Sequence, residues 1–181
     1  MQKSKTQTKR QAILRKLLAL LKMVYRVLME KPIEVAAITN PKILLLENGQ
    51  SVQLIAPVGA MQKPDKKVYL VPKDFVCDGA SIPRALWWLC GAPLTGKYRD
   101  AAILHDAAYA GTLEVIEGES DIAKPANLSR LQADLLFMGA MKFRGCNPIR
   151  SRVKFWAVRI FGGSHYSPAP VKVPQNAQKS A

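Results

Sequence analysis

The chain has 181 residues, 49% of them hydrophobic, which favours a folded domain with a substantial core over a disordered chain. Its 27 Lys and Arg against 13 Asp and Glu give a formal net charge of +14. The excess lies at the ends, since residues 1–31 and 135–181 each carry eight more basic than acidic side chains. Basic ends suit polyanionic partners such as phospholipid headgroups, nucleic acid or an acidic virion surface.

Residues 1–31 are expected to form a basic N-terminal tail followed by an amphipathic helix. From residue 8 to about residue 30 the apolar side chains follow a helical period, while Arg15, Lys22 and Arg26 lie on a narrow polar stripe. These charges argue against a membrane span and against the uncharged core of a signal peptide. Two interpretations stay open: a helix lying in a bilayer interface, or a helix packed on its own domain or on a partner.

Residues 32–166 are expected to form a single globular domain of the α+β class. Residues 43–46 and 52–55 flank an Asn-Gly turn and predict a β-hairpin, and residues 68–71 predict a third strand. We expect a small antiparallel sheet beside a core of about three helices. The tail 167–181 is rich in Pro, Lys, Gln and Ala and is expected to be disordered.

The first two helices of this domain are predicted by their end signals. One spans about 100–110, with Asp100 as its N-cap and Gly111 as a left-handed stop. The other opens with a capping box at Ser129 and ends near residue 143. Residues 112–127, between these helices, are expected to form an exposed acidic loop.

The third helix opens at Asn147-Pro148 and is predicted to end near residue 161. Its apolar stripe is expected to pack on the core, leaving a cationic edge exposed. The stripe consists of Ile149, Val153, Trp156 and Ile160.

A group of polar side chains on apolar helix faces is the main functional signal. His105 and Tyr109 share one face of the first helix, and Asp134 lies on the apolar stripe of the second. A buried carboxylate needs donors, which His105 and Tyr109 supply if the two helices pack antiparallel. Asp134 then fixes the tautomer of His105 and leaves its other nitrogen as a base facing a cleft, with Asp106 beside it.

The sequence leaves two other uses of these residues open and argues against two more. A buried His, Tyr and Asp network can be purely structural. A Cys-His nucleophile pair using Cys77 or Cys90 with His105 also fits the spacing. A metal-dependent His-Asp phosphohydrolase does not fit, because the second histidine, His165, lies downstream. The three cysteines do not fall in the CxxC spacing of a structural zinc site.

Four sequence motifs follow one another over roughly residues 68–162, at residues 75–84, 98–109, 129–141 and 155–161. Their order resembles an uncharacterised family of phage and prophage proteins known as domain of unknown function 1353. It implies a phage or prophage origin, and the family brings no established activity.

A second resemblance, limited to two helices, is to the secretory phospholipase A(2) superfamily. It rests on the pattern His105-Asp106-Ala-Ala-Tyr109 and on a later helix that carries Asp134. The resemblance implies that His105 is the general base for a water, that Asp106 binds calcium, and that Tyr109 and Asp134 orient His105.

The calcium site implied by this resemblance is incomplete in the sequence. The glycine-rich calcium loop of the superfamily is absent, and so are the cysteines that flank its histidine. The nearest substitute is the turn at residues 77–81, where Asp78 is either a further calcium ligand or an ordinary turn residue. Calcium prefers six to eight oxygen ligands, so further oxygens would be needed.

These observations favour a phage- or prophage-encoded hydrolase of lipid esters that acts on an anionic phospholipid membrane. The alternative is a non-enzymatic virion or membrane-associated phage protein with a structural His/Tyr/Asp network. Binding to nucleic acid is expected to be nonspecific, because no recognised nucleic-acid-binding signature is present. Three cysteines without a signal peptide favour the bacterial cytoplasm, the inner-membrane surface or packaging in the virion.

Overall fold

The structure is a computed structural model, and it describes residues 18, 30–48, 51–77, 96–118 and 120–167. The chain divides into units 1–31 and 32–181, and the strands and helices named below all lie in the second. Among the described residues, eight strands in two antiparallel sheets and three α-helices make this an α+β fold, as the sequence predicted. Apart from residues 18 and 30, the predicted N-terminal helix lies outside the described residues, as does the tail beyond residue 167.

The larger sheet has five antiparallel strands, which in spatial order are β1 (Val35–Ile38), β4 (Val58–Gln62), β5 (Val68–Val71), β7 (Glu114–Ile116) and β8 (Lys124–Pro125). Alternating apolar side chains bury one face of its strands, with Val58 and Val71 fully buried and paired across β4 and β5.

A second sheet of three strands contains the predicted hairpin, β2 (Ile43–Leu45) and β3 (Val52–Leu54). The strand β6 (Val76–Cys77) pairs with the other edge of β3 and brings Cys77 to a buried position. The prediction of one small sheet was therefore wrong, since the strand at residues 68–71 joins the larger sheet.

The segment predicted to be an exposed acidic loop instead supplies β7 and β8 to the larger sheet. Glu114 lies between the buried apolar residues Leu113 and Val115, and burial alternates over residues 113–116. The prediction of a loop rested on the charge of the segment, which does not reveal this alternation.

Three helices form the other layer: α1 (Arg99–Tyr109), α2 (Arg130–Phe143) and α3 (Pro148–Phe161). The Ser129 capping box and the Asn147 cap are both present, and Gly111 has the predicted positive φ of 68°. The N-cap of α1 is Tyr98 rather than Asp100. Asp100 is buried within the helix, where its carboxylate forms an ion pair of 2.6 Å with Arg144.

Helices α1 and α2 pack antiparallel, as the predicted site required. Arg144, just after the end of α2, pairs with Asp100 at the start of α1. At the other end, Arg130 at the start of α2 donates to the Tyr109 hydroxyl at the end of α1 over 3.2 Å. The chain leading into β1 crosses α2 so closely that a Cβ on Gly139 would lie 1.9 Å from the carbonyl oxygen of Ile33.

The predicted orientation of α3 was wrong. Its buried residues include Phe155 and Val158, which have no exposed surface, whereas Ile149 is 75% exposed and Ile160 is 65% exposed. The helix therefore turns the opposite side toward the core. Among the described residues, no helix is long and apolar enough to cross a membrane.

Candidate functional site

Helices α1 and α2 bring together the three polar side chains that the sequence singled out. His105 Nε2 lies 2.8 Å from Asp134 Oδ1, and the Tyr109 hydroxyl donates to the same oxygen over 2.7 Å. His105 and Asp134 have no exposed surface, and Tyr109 is 3% exposed. The predicted contacts are therefore present, in a fully buried setting.

Arg159 on α3 is a third donor to Asp134 that the sequence analysis did not identify. Its guanidinium lies 2.9 Å from Asp134 Oδ2, and its side chain is 25% exposed. In the sequence, Arg159 is one of the four basic residues of the helix that were expected to form an exposed cationic edge. The buried carboxylate is thus paired with a cation, which removes most of the penalty for burying a charge.

Arg130 extends this network on the side of Tyr109. Its Nε donates to the Tyr109 hydroxyl, and its terminal nitrogen donates to the carbonyl oxygen of Val158 over 2.9 Å. Burial and the hydrogen bond to Asp134 raise the pKa of Tyr109 well above its usual value. The phenol therefore stays protonated and donates to Asp134 at any physiological pH.

The other ring nitrogen of His105 differs from the hydrogen-bonded atoms of this network. Nδ1 is buried and has no hydrogen-bond partner in the part of the chain that the structure describes. Asp106 Oδ1 lies 3.9 Å from Nδ1, beyond hydrogen-bonding distance. Since Asp134 accepts from Nε2–H, Nδ1 carries a lone pair in the neutral ring.

Opposing effects act on the charge of His105. Burial lowers its pKa, but the nearby carboxylates of Asp106 and Asp134 raise it more, so that the pKa lies above its usual value. The ring also packs against Tyr109, with centroids 4.0 Å apart, and against Phe137, at 4.8 Å. These contacts fix the plane of the imidazole.

Asp106 lies beside Nδ1 and is itself held by Cys77. The Cys77 thiol donates to Asp106 Oδ2 over 2.9 Å, and the Asp106 side chain is 11% exposed. Asp106 is therefore a partly exposed neighbour of the buried imidazole. The phospholipase A(2) resemblance implied that the turn at residues 77–81 lies near Asp106. The thiol contact itself was not predicted, because it depends on where β6 docks on α1.

The described residues provide little for a calcium ion. No group of three or more His, Cys, Asp or Glu side chains able to hold a metal occurs among them. One oxygen of Asp106 is already hydrogen-bonded to Cys77, and calcium requires several more oxygens. The other predicted ligand, Asp78, lies outside the described residues, and so does Cys90.

Comparison with known proteins places this site within a defined family. A family model described as "Protein of unknown function (DUF1353)" matches residues 53–158, more than half of the chain. The chain belongs to this family. The matched region includes His105, Asp106, Tyr109 and Asp134, whereas Arg159 directly follows it.

One curated relative is also of unknown activity. A stretch of 99 residues, 55% of this chain, is 27% identical to the uncharacterised protein y4jT of Sinorhizobium fredii (strain NBRC 101917 / NGR234). The match spans 25% of that relative's length. No solved structure gave a significant match.

Proposed function

We propose that this protein is a hydrolase of lipid esters, encoded by a phage or prophage, in which His105 is the general base at an anionic membrane surface. The observation that carries the proposal concerns a histidine whose Nε2 is held by a buried carboxylate and whose Nδ1 has no hydrogen-bond partner among the described residues. That arrangement fixes both the tautomer and the direction of the lone pair, which general-base catalysis requires.

The chemistry is a water attack on an ester carbonyl. Nδ1 removes a proton from water while the oxygen bonds to the carbonyl carbon, which produces a tetrahedral oxyanion. The imidazolium formed in this step is stabilised by Asp134, at 2.8 Å from Nε2. When the intermediate collapses, the ester C–O bond breaks and Nδ1–H returns its proton to the leaving alkoxide.

Calcium stays a prediction of the phospholipase A(2) resemblance and is not part of these steps. In that resemblance Asp106 and Asp78 would hold the ion, and the ion would polarise the ester carbonyl. The resemblance in motif order supports the phage or prophage origin. The charge of +14 supports an anionic membrane partner, with the host cytoplasm, the inner-membrane surface or the virion as the location.

A specific observation favours the alternative, a non-enzymatic phage protein in which the same residues form a structural network. The His105 ring has no exposed surface. A substrate reaches Nδ1 only if side chains that cover the ring move, with Asp106 as the partly exposed neighbour. A structural role needs no such movement, because the network already fixes the register of α1 on α2.

Fatty acid release from anionic phospholipid vesicles, with calcium or with a chelator, distinguishes the two functions. We expect release by the wild type and a loss of about 100-fold or more in His105→Gln, the range for removal of a general base. His165→Gln is the matched control, because His165 is exposed and distant in sequence, and it should retain full activity. Equal release by His105→Gln, or no release by the folded wild type, would contradict the hydrolase proposal.

A further inference from the structure

Helix α3 is apolar on two opposite sides. On its inner side, Phe155 and Val158 are fully buried. A second set of apolar residues, called here the outer stripe, consists of Ile149, Val153, Trp156 and Ile160. These residues are spaced by four, three and four positions, which places them on one side of the helix, about 180° from Val158. The two end residues of the outer stripe are mostly exposed, at 75% and 65%, and its two central residues are partly exposed.

The charged residues of helix α3 all have one sign. Helix α3 contains four basic residues and no acidic one. Two of them are used internally, since Arg159 pairs with Asp134 and the Lys154 ammonium lies 3.3 Å from the centre of the Tyr98 ring. Arg150 is exposed near the start of the helix. No acidic residue occurs anywhere in 135–181, so the stripe lies in a positively charged part of the sequence.

We infer that the outer stripe of α3 is the surface that docks on an anionic phospholipid bilayer. The helix would lie parallel to the membrane, with a length of about 21 Å for its 14 residues. Its isoleucine and tryptophan side chains would enter the boundary between headgroups and acyl chains, and Arg150 would contact the headgroups. This inference rests on the proposed function and assigns its membrane contact to one helix.

The positive charge of α3 favours an anionic bilayer over a second copy of this chain as the occupant of the stripe. A second copy of the same helix would bring like charges together, which is unfavourable. An anionic bilayer offers complementary charge and an apolar layer of unlimited extent at the same time. The same helix supplies Arg159 to Asp134, so the docking surface and the candidate site share one rigid element.

Flotation of the full chain with phosphatidylglycerol and phosphatidylcholine vesicles tests the inference. The Ile149→Gln/Ile160→Gln double variant should lose about tenfold or more in partitioning, because two largely exposed isoleucines would no longer bury their side chains in lipid. Ile122→Gln is the matched control, since Ile122 is 70% exposed but lies between β7 and β8. Arg150→Gln should weaken binding about fivefold on phosphatidylglycerol and leave phosphatidylcholine binding unchanged.

Two outcomes would overturn the inference. One is binding of the double variant that equals that of the wild type. The other is an oligomer of the wild type that dissociates in the double variant while vesicle binding stays the same, which would make the stripe an interface between copies. If the wild type binds vesicles through the stripe but releases no fatty acid, the hydrolase proposal fails and the docking surface stands.

Discussion

Replacing Asp134 by asparagine is the sharpest test of the network that holds the candidate site. Oδ1 accepts hydrogen bonds from His105 and Tyr109, and Oδ2 accepts one from Arg159. An amide keeps the size of the side chain, but its NH2 group must face donors at one of the two positions. The substitution therefore removes the charge and leaves at least one donor without its present acceptor.

The size of the effect follows from the burial of the pair. Removing one partner of a buried ion pair costs about 3–5 kcal/mol. Arg159 keeps 25% of its side chain exposed, so water can solvate it after the substitution, and we expect a loss near ~3 kcal/mol. For a domain of this size, each kcal/mol lowers Tm by about 2–4 °C, which gives a fall of roughly 6–12 °C.

Thermal unfolding followed by circular dichroism measures this fall, with Asp121→Asn as the matched control. Asp121 is an exposed acid, and its substitution should change Tm by less than about 2 °C. A fall below about 3 °C in Asp134→Asn would show that the carboxylate is not held as the distances indicate. An equal fall in both variants would attribute the effect to net charge rather than to the network.

Three further predictions follow from named contacts. Gly139→Ala should lower the free energy of unfolding by about 3 kcal/mol in a urea titration, because its Cβ would meet the Ile33 carbonyl, and an unchanged midpoint would contradict that close approach. Because the pKa of His105 is raised, the stabilisation from its protonated form is complete below about pH 6.5 and is lost as pH rises through the folded-state pKa. The difference in free energy of unfolding between wild type and His105→Gln should therefore shrink above about pH 6.5 in urea titrations. An increase of this difference with pH would refute the raised pKa. Cys77→Ala should remove a donor from Asp106 and shift the His105 titration measured by NMR to higher pH, since that carboxylate then interacts more strongly with the imidazole; an unchanged titration would count against the contact.

The contact between α1 and α2 could be predicted from the sequence because both patterns are local. A four-residue spacing places His105 and Tyr109 on one face, and the apolar period of α2 places Asp134 on its buried side. A buried carboxylate and two buried donors then have few other partners. The same logic explains why the Ser129 capping box and the Gly111 stop were located correctly.

What could not be predicted depended on how elements dock. Arg159 looked like a surface cation because its sequence neighbours give no sign that α3 brings it to Asp134. Cys77 reaches Asp106 only because β6 pairs with β3 in a second sheet. Leu113 and Val115 are apolar and lie on either side of Glu114. A loop was nevertheless predicted there, because Glu114 and the acidic residues that follow dominate the segment.

The apolar stripe of α3 that was predicted to face the core is instead exposed, and this difference has a physical reason. Two sets of apolar residues on this helix satisfy the helical period, and only one can face the core. Phe155 and Val158 are buried on the side that also carries Arg159 to Asp134, so the ion pair and the packing select the same orientation. Rotating Ile149 and Ile160 inward would expose Phe155 and break the only ion pair that Asp134 makes with an arginine among the described residues. The exposed stripe is therefore a consequence of satisfying the buried carboxylate, and a membrane contact at this stripe would act on the same helix that holds Asp134.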